Sequence, residues 1–111
     1  KQKVELIRRI MLQASEKGSR LFRNNTGIGW VGEVVSRTPS IITLKNYRIF
    51  HGGLCVGSSD IIGWTPRGGA AIFTAIEAKT GRLKPTHEQE SFLAAVARAG
   101  GIARVVREGE V

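Results

Sequence analysis

The chain has 111 residues, 41% of them hydrophobic and 23% charged, a composition that fits one globular domain and excludes a disordered segment. The formal net charge of +8 favours a polyanionic partner, and no apolar run reaches the ~18 residues of a membrane-spanning helix. The one cysteine, Cys55, has no intramolecular partner for a disulfide, which suits a reducing cytoplasm.

In chain order, the first predicted element is a helix over Val4–Lys17, with Val4, Ile7, Ile10, Met11 and Ala14 on one face at 3.6-residue spacing and Gly18 as its stop. Leu21 and Phe22 suggest a short strand, and Asn24 to Gly29 a turn or loop. From Trp30 to Tyr47 the pattern predicts a hairpin or an irregular excursion around Pro39. "RIFHGGLCVG" and "SDIIGWT" read as two short strands broken by glycines, with Cys55 in the first as a core residue. "TPRGG" is then a hairpin loop, and Ala71–Lys79 a central strand, because both of its faces are apolar along most of its length. Pro85 leads into a helix from Thr86 to about Ala99, and "IARVVRE" closes the chain as a strand. The last three elements have the length of a right-handed βαβ crossover joining parallel strands. The expected fold is a single α/β domain, residues 1–111, with a mixed β-sheet flanked by helices.

The charge is uneven. Residues 1–50 hold ten Lys and Arg against three acids, whereas residues 51–111 hold seven against six. Such a basic half fits nucleic acid ahead of a membrane surface. Arg20, Arg23, Asn24 and Asn25, in and beside "FRNNTG", are candidate phosphate contacts, with an ordinary turn as the alternative.

The central strand ends in "EAK". Glu77 and Lys79, two residues apart, point to the same face. Asp60 lies 17 positions earlier, on the strand expected to be the hairpin partner, so it should stand beside Glu77. Two such carboxylates repel unless a cation sits between them, and their hard oxygens suit Mg²⁺ or Mn²⁺. The backbone carbonyl of Ala78 supplies a candidate third oxygen. A metal there serves phosphoryl chemistry, with the Lys79 ammonium stabilising developing negative charge. A plain Glu–Lys pair closing a strand is the alternative.

"GSSDIIGW", "EAK", "RLKPTHEQESFL" and "GIARVVR", taken as an ordered set, resemble the VRR-NUC family of the PD-(D/E)-x-K nuclease superfamily. That family includes the nuclease domain of the Fanconi-associated DNA repair nuclease and stand-alone phage proteins. The resemblance implies a restriction-endonuclease-like core, Asp60 and Glu77 as ligands and Lys79 as the catalytic lysine. It adds Gln89 on the following helix and Glu5 on the first helix as site members. Ser59 stands where the family usually has proline. Gln89 also fits a capping box with Thr86 as N-cap, and one side chain can serve both purposes. Glu5 lies opposite the apolar stripe, where pairing with Arg8 or Arg9 is the alternative.

His51, His87 and "GIGW" carry no zinc or nucleotide-binding pattern, so no nucleotide cofactor is expected. The resulting expectation is a Mg²⁺- or Mn²⁺-dependent DNA endonuclease. The likeness to stand-alone phage members implies a homodimer acting on branched DNA, four-way (Holliday) junctions above all. The excursion over residues 28–44, with Trp30, Val31, Ile41 and Ile42, exceeds what a minimal core needs and is the expected dimer surface. The rival is a basic nucleic-acid-binding module that cuts nothing. A restriction-type enzyme would need base-reading elements that the sequence does not show.

Overall fold

The computed structural model describes residues 2–111. Helix α1 (Gln2–Glu16) is followed by strands β1 (Arg20–Arg23), β2 (Gly27–Arg37), β3 (Ile42–Gly52), β4 (Ile61–Arg67) and β5 (Ala70–Lys79). Helix α2 (His87–Arg98), strand β6 (Ile102–Arg107) and a 3₁₀ turn at Glu108–Glu110 complete the chain.

The main sheet has the order β1-β4-β5-β6. β4 runs antiparallel to both β1 and β5, while β6 runs parallel to β5, as the length of the α2 crossover requires. The sheet is therefore mixed, with α1 on one face and α2 on the other. The β4–β5 turn is tighter than "TPRGG". Arg67 already pairs with Ala70, and only Gly68 and Gly69 turn the chain, at φ 55° and 82°. Two successive residues at positive φ match the right-handed twist of a hairpin, and glycine adopts them without steric cost. Pro66 is tolerated in β4 because it lies beyond the end of β1, where the strand is an edge and a missing N–H breaks no ladder.

Leu6, Ile7 and Ile10 of α1 pack on Ile61, Ile76, Ala78 and Val106 of the sheet, with Met11, Leu21 and Val111 at the margin. The apolar stripe is thus rotated from the expected one: Leu6 is buried, and Val4 is 40% exposed. β5 is the central strand, but it is buried on both faces only from Thr74 to Lys79. Its first residues and Phe73 are open, because α2 is short and lies toward β6.

Two expectations are corrected. Residues 27–52 do not mix loop and broken strand. They form one long antiparallel hairpin, β2–β3, paired from Gly27↔Gly52 to Arg37↔Ile42 with register shifts between Val31 and Glu33 and between Val34 and Ser36. Its turn is closed by the Thr38 N–H on the Ile41 carbonyl (2.8 Å) and the Ile41 N–H on the Thr38 hydroxyl (3.0 Å). A register shift near Gly32 puts Asn46 at φ 53°, and its amide donates to Glu33 across the irregularity. The apolar letters at 28–35 and 41–50 satisfy strand propensity without marking a core. Cys55 is likewise not a core residue: it lies exposed in the turn after β3, where the chain leaves the hairpin.

The hairpin forms a separate two-stranded sheet. The molecule measures 52 × 28 × 28 Å with a radius of gyration of 16.9 Å, whereas a compact domain of this length has about 13 Å. The excess length is the hairpin. Ile28, Trp30, Val34, Val35, Ile42, Tyr47, Ile49 and Phe50 on it are each at least half exposed.

Candidate active site

Glu77 is placed by alternation. Along β5, Thr74, Ile76 and Ala78 face α1, which turns Phe73, Ala75, Glu77 and Lys79 to the α2 side. Continuing the register Ile61↔Ile76 by one residue sets Asp60 directly across from Glu77. The two acids are joined through the backbone. The Asp60 N–H donates to Glu77 Oε1 at 3.1 Å, and the Ala78 N–H donates to Asp60 Oδ2 at 2.9 Å. Each carboxylate thus accepts a bond from the other's strand, and this fixes their relative position.

Each acid also faces a lysine. Lys79 Nζ is 3.3 Å from Glu77 Oε2, with side-chain exposures of 10% and 1%. Lys3 Nζ, from α1, is 3.3 Å from Asp60 Oδ2. Burial, and then the charge of Asp60, push the Glu77 carboxyl above the ordinary carboxylate range, and the lysines oppose this only in part. Glu77 Oε2 is fully buried and makes no hydrogen bond, although Lys79 is near. A buried carboxylate oxygen with the Lys79 ammonium 3.3 Å away and a second carboxylate beside it suits a hard divalent cation, so the residues present fit a metal. Among the described residues, no third acid, histidine or cysteine converges on them. Further coordination would have to come from backbone oxygen, water or substrate phosphate.

Asp60 is held from behind by Asn24. The Asn24 amide donates to Ser58 Oγ (2.8 Å) and to the Ser59 carbonyl (2.7 Å) and accepts from the Leu54 N–H (2.9 Å). Its backbone N–H donates to the Asp60 carbonyl at 2.7 Å. Ser59, at the position where the resemblance implied proline, is 1% exposed and bonds the Ile61 carbonyl through its own hydroxyl. At Gly57, φ is 82° and an added Cβ would lie 2.7 Å from the Cβ of Glu88, so only glycine lets this loop press against the first turn of α2.

Of the residues singled out in the sequence, Asp60, Glu77, Ala78 and Lys79 come together. Glu5 does not join them: its side chain is 62% exposed and pairs with Arg8 at 3.1 Å. Gln89 sits in a complete capping box. The Thr86 N–H donates to Gln89 Oε1 (2.8 Å), and the Gln89 N–H donates to Thr86 Oγ1 (3.2 Å). Asn24 is 8% exposed with its amide turned inward, whereas Arg20, Arg23 and Asn25 are exposed. Arg20 pairs with Trp64, which pairs with Phe73, so it lies on the same face of the sheet as Glu77. Lys3 is the residue that sequence reasoning missed. Lys3 shares a face of α1 with Leu6, Ile7 and Ile10 at i, i+3, i+4 and i+7, a placement that shows only once the buried face of the helix is known.

A mixed sheet with a helix on each face, and with an acid pair and a lysine at the ends of its two central strands, defines a nuclease-type domain with a restriction-endonuclease-like fold. The chain belongs to the VRR-NUC family, whose domain model matches residues 33–108, most of the chain. Comparison with curated proteins and with solved structures gives no match.

Proposed function

We propose that this nuclease domain is a divalent-metal-dependent endonuclease that hydrolyses phosphodiester bonds in branched DNA, four-way junctions above all, as a homodimer. The observation that carries the reading is Glu77, buried, facing Asp60 across two paired strands with Lys79 Nζ 3.3 Å from its Oε2. Asp60 and Glu77 would hold Mg²⁺ or Mn²⁺, with the Ala78 carbonyl as a further candidate oxygen. Such an ion supplies Lewis-acid polarisation of the phosphate and a more acidic water. Hydrolysis adds the elements of water across one P–O bond, leaving a phosphate monoester and an alcohol.

The remaining steps belong to the chain. Lys79, held by Glu77 and largely shielded from solvent, sets a fixed positive charge where the phosphorane becomes more negative, and a preformed charge needs no reorganisation during the reaction. The crossed bonds, from the Asp60 N–H to the Glu77 carboxylate and from the Ala78 N–H to the Asp60 carboxylate, fix the carboxylate spacing before substrate arrives. Arg20 on the Glu77 face, Arg23 on the α1 face opposite Ile61, and Asn25 after β1 are exposed and are the phosphate contacts that would hold the DNA. The dimer rests on β2–β3, whose apolar side chains, with Trp30 and Tyr47 edge to face at 5.7 Å, are left uncovered by the rest of the chain.

The test is cleavage of a labelled four-way junction beside a linear duplex of the same arms, in Mg²⁺, Mn²⁺ or EDTA, with Lys79→Ala and Asp60→Asn as controls. Cutting of the junction alone, dependent on metal and lost in both variants while binding persists, is the expected result. Binding without cutting in every metal would make the domain a non-catalytic DNA binder. Equal cutting of the duplex would remove the branched substrate.

A further inference from the structure

Asp60 Oδ2 receives two groups, the Ala78 N–H at 2.9 Å and the Lys3 ammonium at 3.3 Å. The first belongs to the sheet and cannot leave without breaking it. The second ends a flexible side chain that is 40% exposed. Lys3 is aimed at this oxygen by the packing of α1, because the buried Leu6, Ile7 and Ile10 fix the rotation of the helix that carries it. With Lys79 on Glu77, the four side chains carry no net formal charge. A divalent cation shared by Asp60 and Glu77 would meet an ammonium 3.3 Å from an oxygen of each, and like charges at that distance repel; Lys79 is 10% exposed and enclosed, whereas Lys3, at 40%, can withdraw.

We infer that Lys3 is a resident counter-ion that occupies Asp60 until a divalent cation displaces it, and thereby sets the affinity of the site for metal. The inference rests on the metal site proposed above. Lys3 is a positioning residue: it holds the Asp60 carboxylate in place when no metal is there, and its exposed ammonium can withdraw into solvent when one arrives. The chain thus trades metal affinity for a site whose carboxylates are never left without counter-charge.

The experiment is Mn²⁺ titration of the full chain, by calorimetry or by the loss of the free-Mn²⁺ spin-resonance signal, in wild type, Lys3→Met, Lys3→Glu and Lys17→Met. Lys17, exposed in the turn just after α1, controls for net charge. Lys3→Met is expected to tighten Mn²⁺ binding about two- to fivefold, the range for a partly exposed ion pair, with Lys3→Glu tighter still and Lys17→Met unchanged. Melting temperatures in EDTA confirm that each variant is folded. Wild-type affinity in folded Lys3→Met, or an equal gain in Lys17→Met, overturns the inference and leaves the metal site standing. Absence of binding in wild type, Lys3→Met and Lys3→Glu overturns the metal site itself and the inference with it.

Discussion

Glu77 is the residue at which fold and chemistry conflict. A buried carboxylate beside a second one is costly to ionise, and Lys79 offsets that cost only in part. The conflict has a signature in pH. Because the folded-state carboxyl of Glu77 is raised above its ordinary value of 4.5, the native chain keeps a proton there that the unfolded chain has lost. Over the window from that ordinary value up through the raised one, the contribution of Glu77 to stability falls as pH rises. Urea midpoints measured from acid to neutral pH should show this decline in wild type and a flatter profile in Glu77→Gln, where nothing titrates. Parallel profiles in the two proteins would mean that the carboxyl is not perturbed. In the sequence Glu77 stood out only together with Asp60, since an acid and a lysine two apart at the end of an apolar strand are a common pair, and the second carboxylate 17 positions earlier is what asks for a cation. Lys3 was illegible for the opposite reason: one lysine among ten basic residues in the first half carries no mark until the rotation of α1 is known.

At the scale of elements, the site depends on the segment between β3 and β4, which has no regular structure and is held by Asn24. Asn24→Ala removes three side-chain hydrogen bonds from a buried position and leaves the Leu54 N–H without its acceptor, at a cost of roughly 2–4 kcal/mol. The expected result in urea denaturation is a loss of that size, together with slower cleavage, because Asp60 leaves its place opposite Glu77. A surface role for the amide would instead weaken DNA binding and leave stability unchanged. "FRNNTG" is a polar run, and the sequence alone does not tell a phosphate-binding asparagine from an internal clamp; burial separates Asn24 from its exposed neighbour Asn25. The α2 crossover was readable throughout, from the Thr86 cap to the parallel β6, because local signals and tertiary packing agree there. The β2–β3 hairpin was readable only as an excursion. Its apolar residues follow neither a helical period nor a clean alternation, since the shift near Gly32 changes which face each one takes.

For the whole molecule, the salient fact is that its two sheets share no hydrogen-bond ladder. If the proposed dimer forms through the hairpin, sedimentation should give a dimer at micromolar concentration, and Trp30→Glu should give a monomer that melts as wild type does. A wild-type monomer at that concentration would remove the dimer. The absence of a shared ladder also bears on how the protein opens. Every backbone bond of β2 and β3 can be broken without disturbing β4, β5 or the helices, so the hairpin is a unit of unfolding of its own. Amide hydrogen exchange should resolve two sets of protons, the hairpin set leaving at a lower free energy than the β5 set. Diluting a dimer would speed the first set and leave the second alone, so one isotope-exchange profile taken at two concentrations would report assembly and folding as separate quantities.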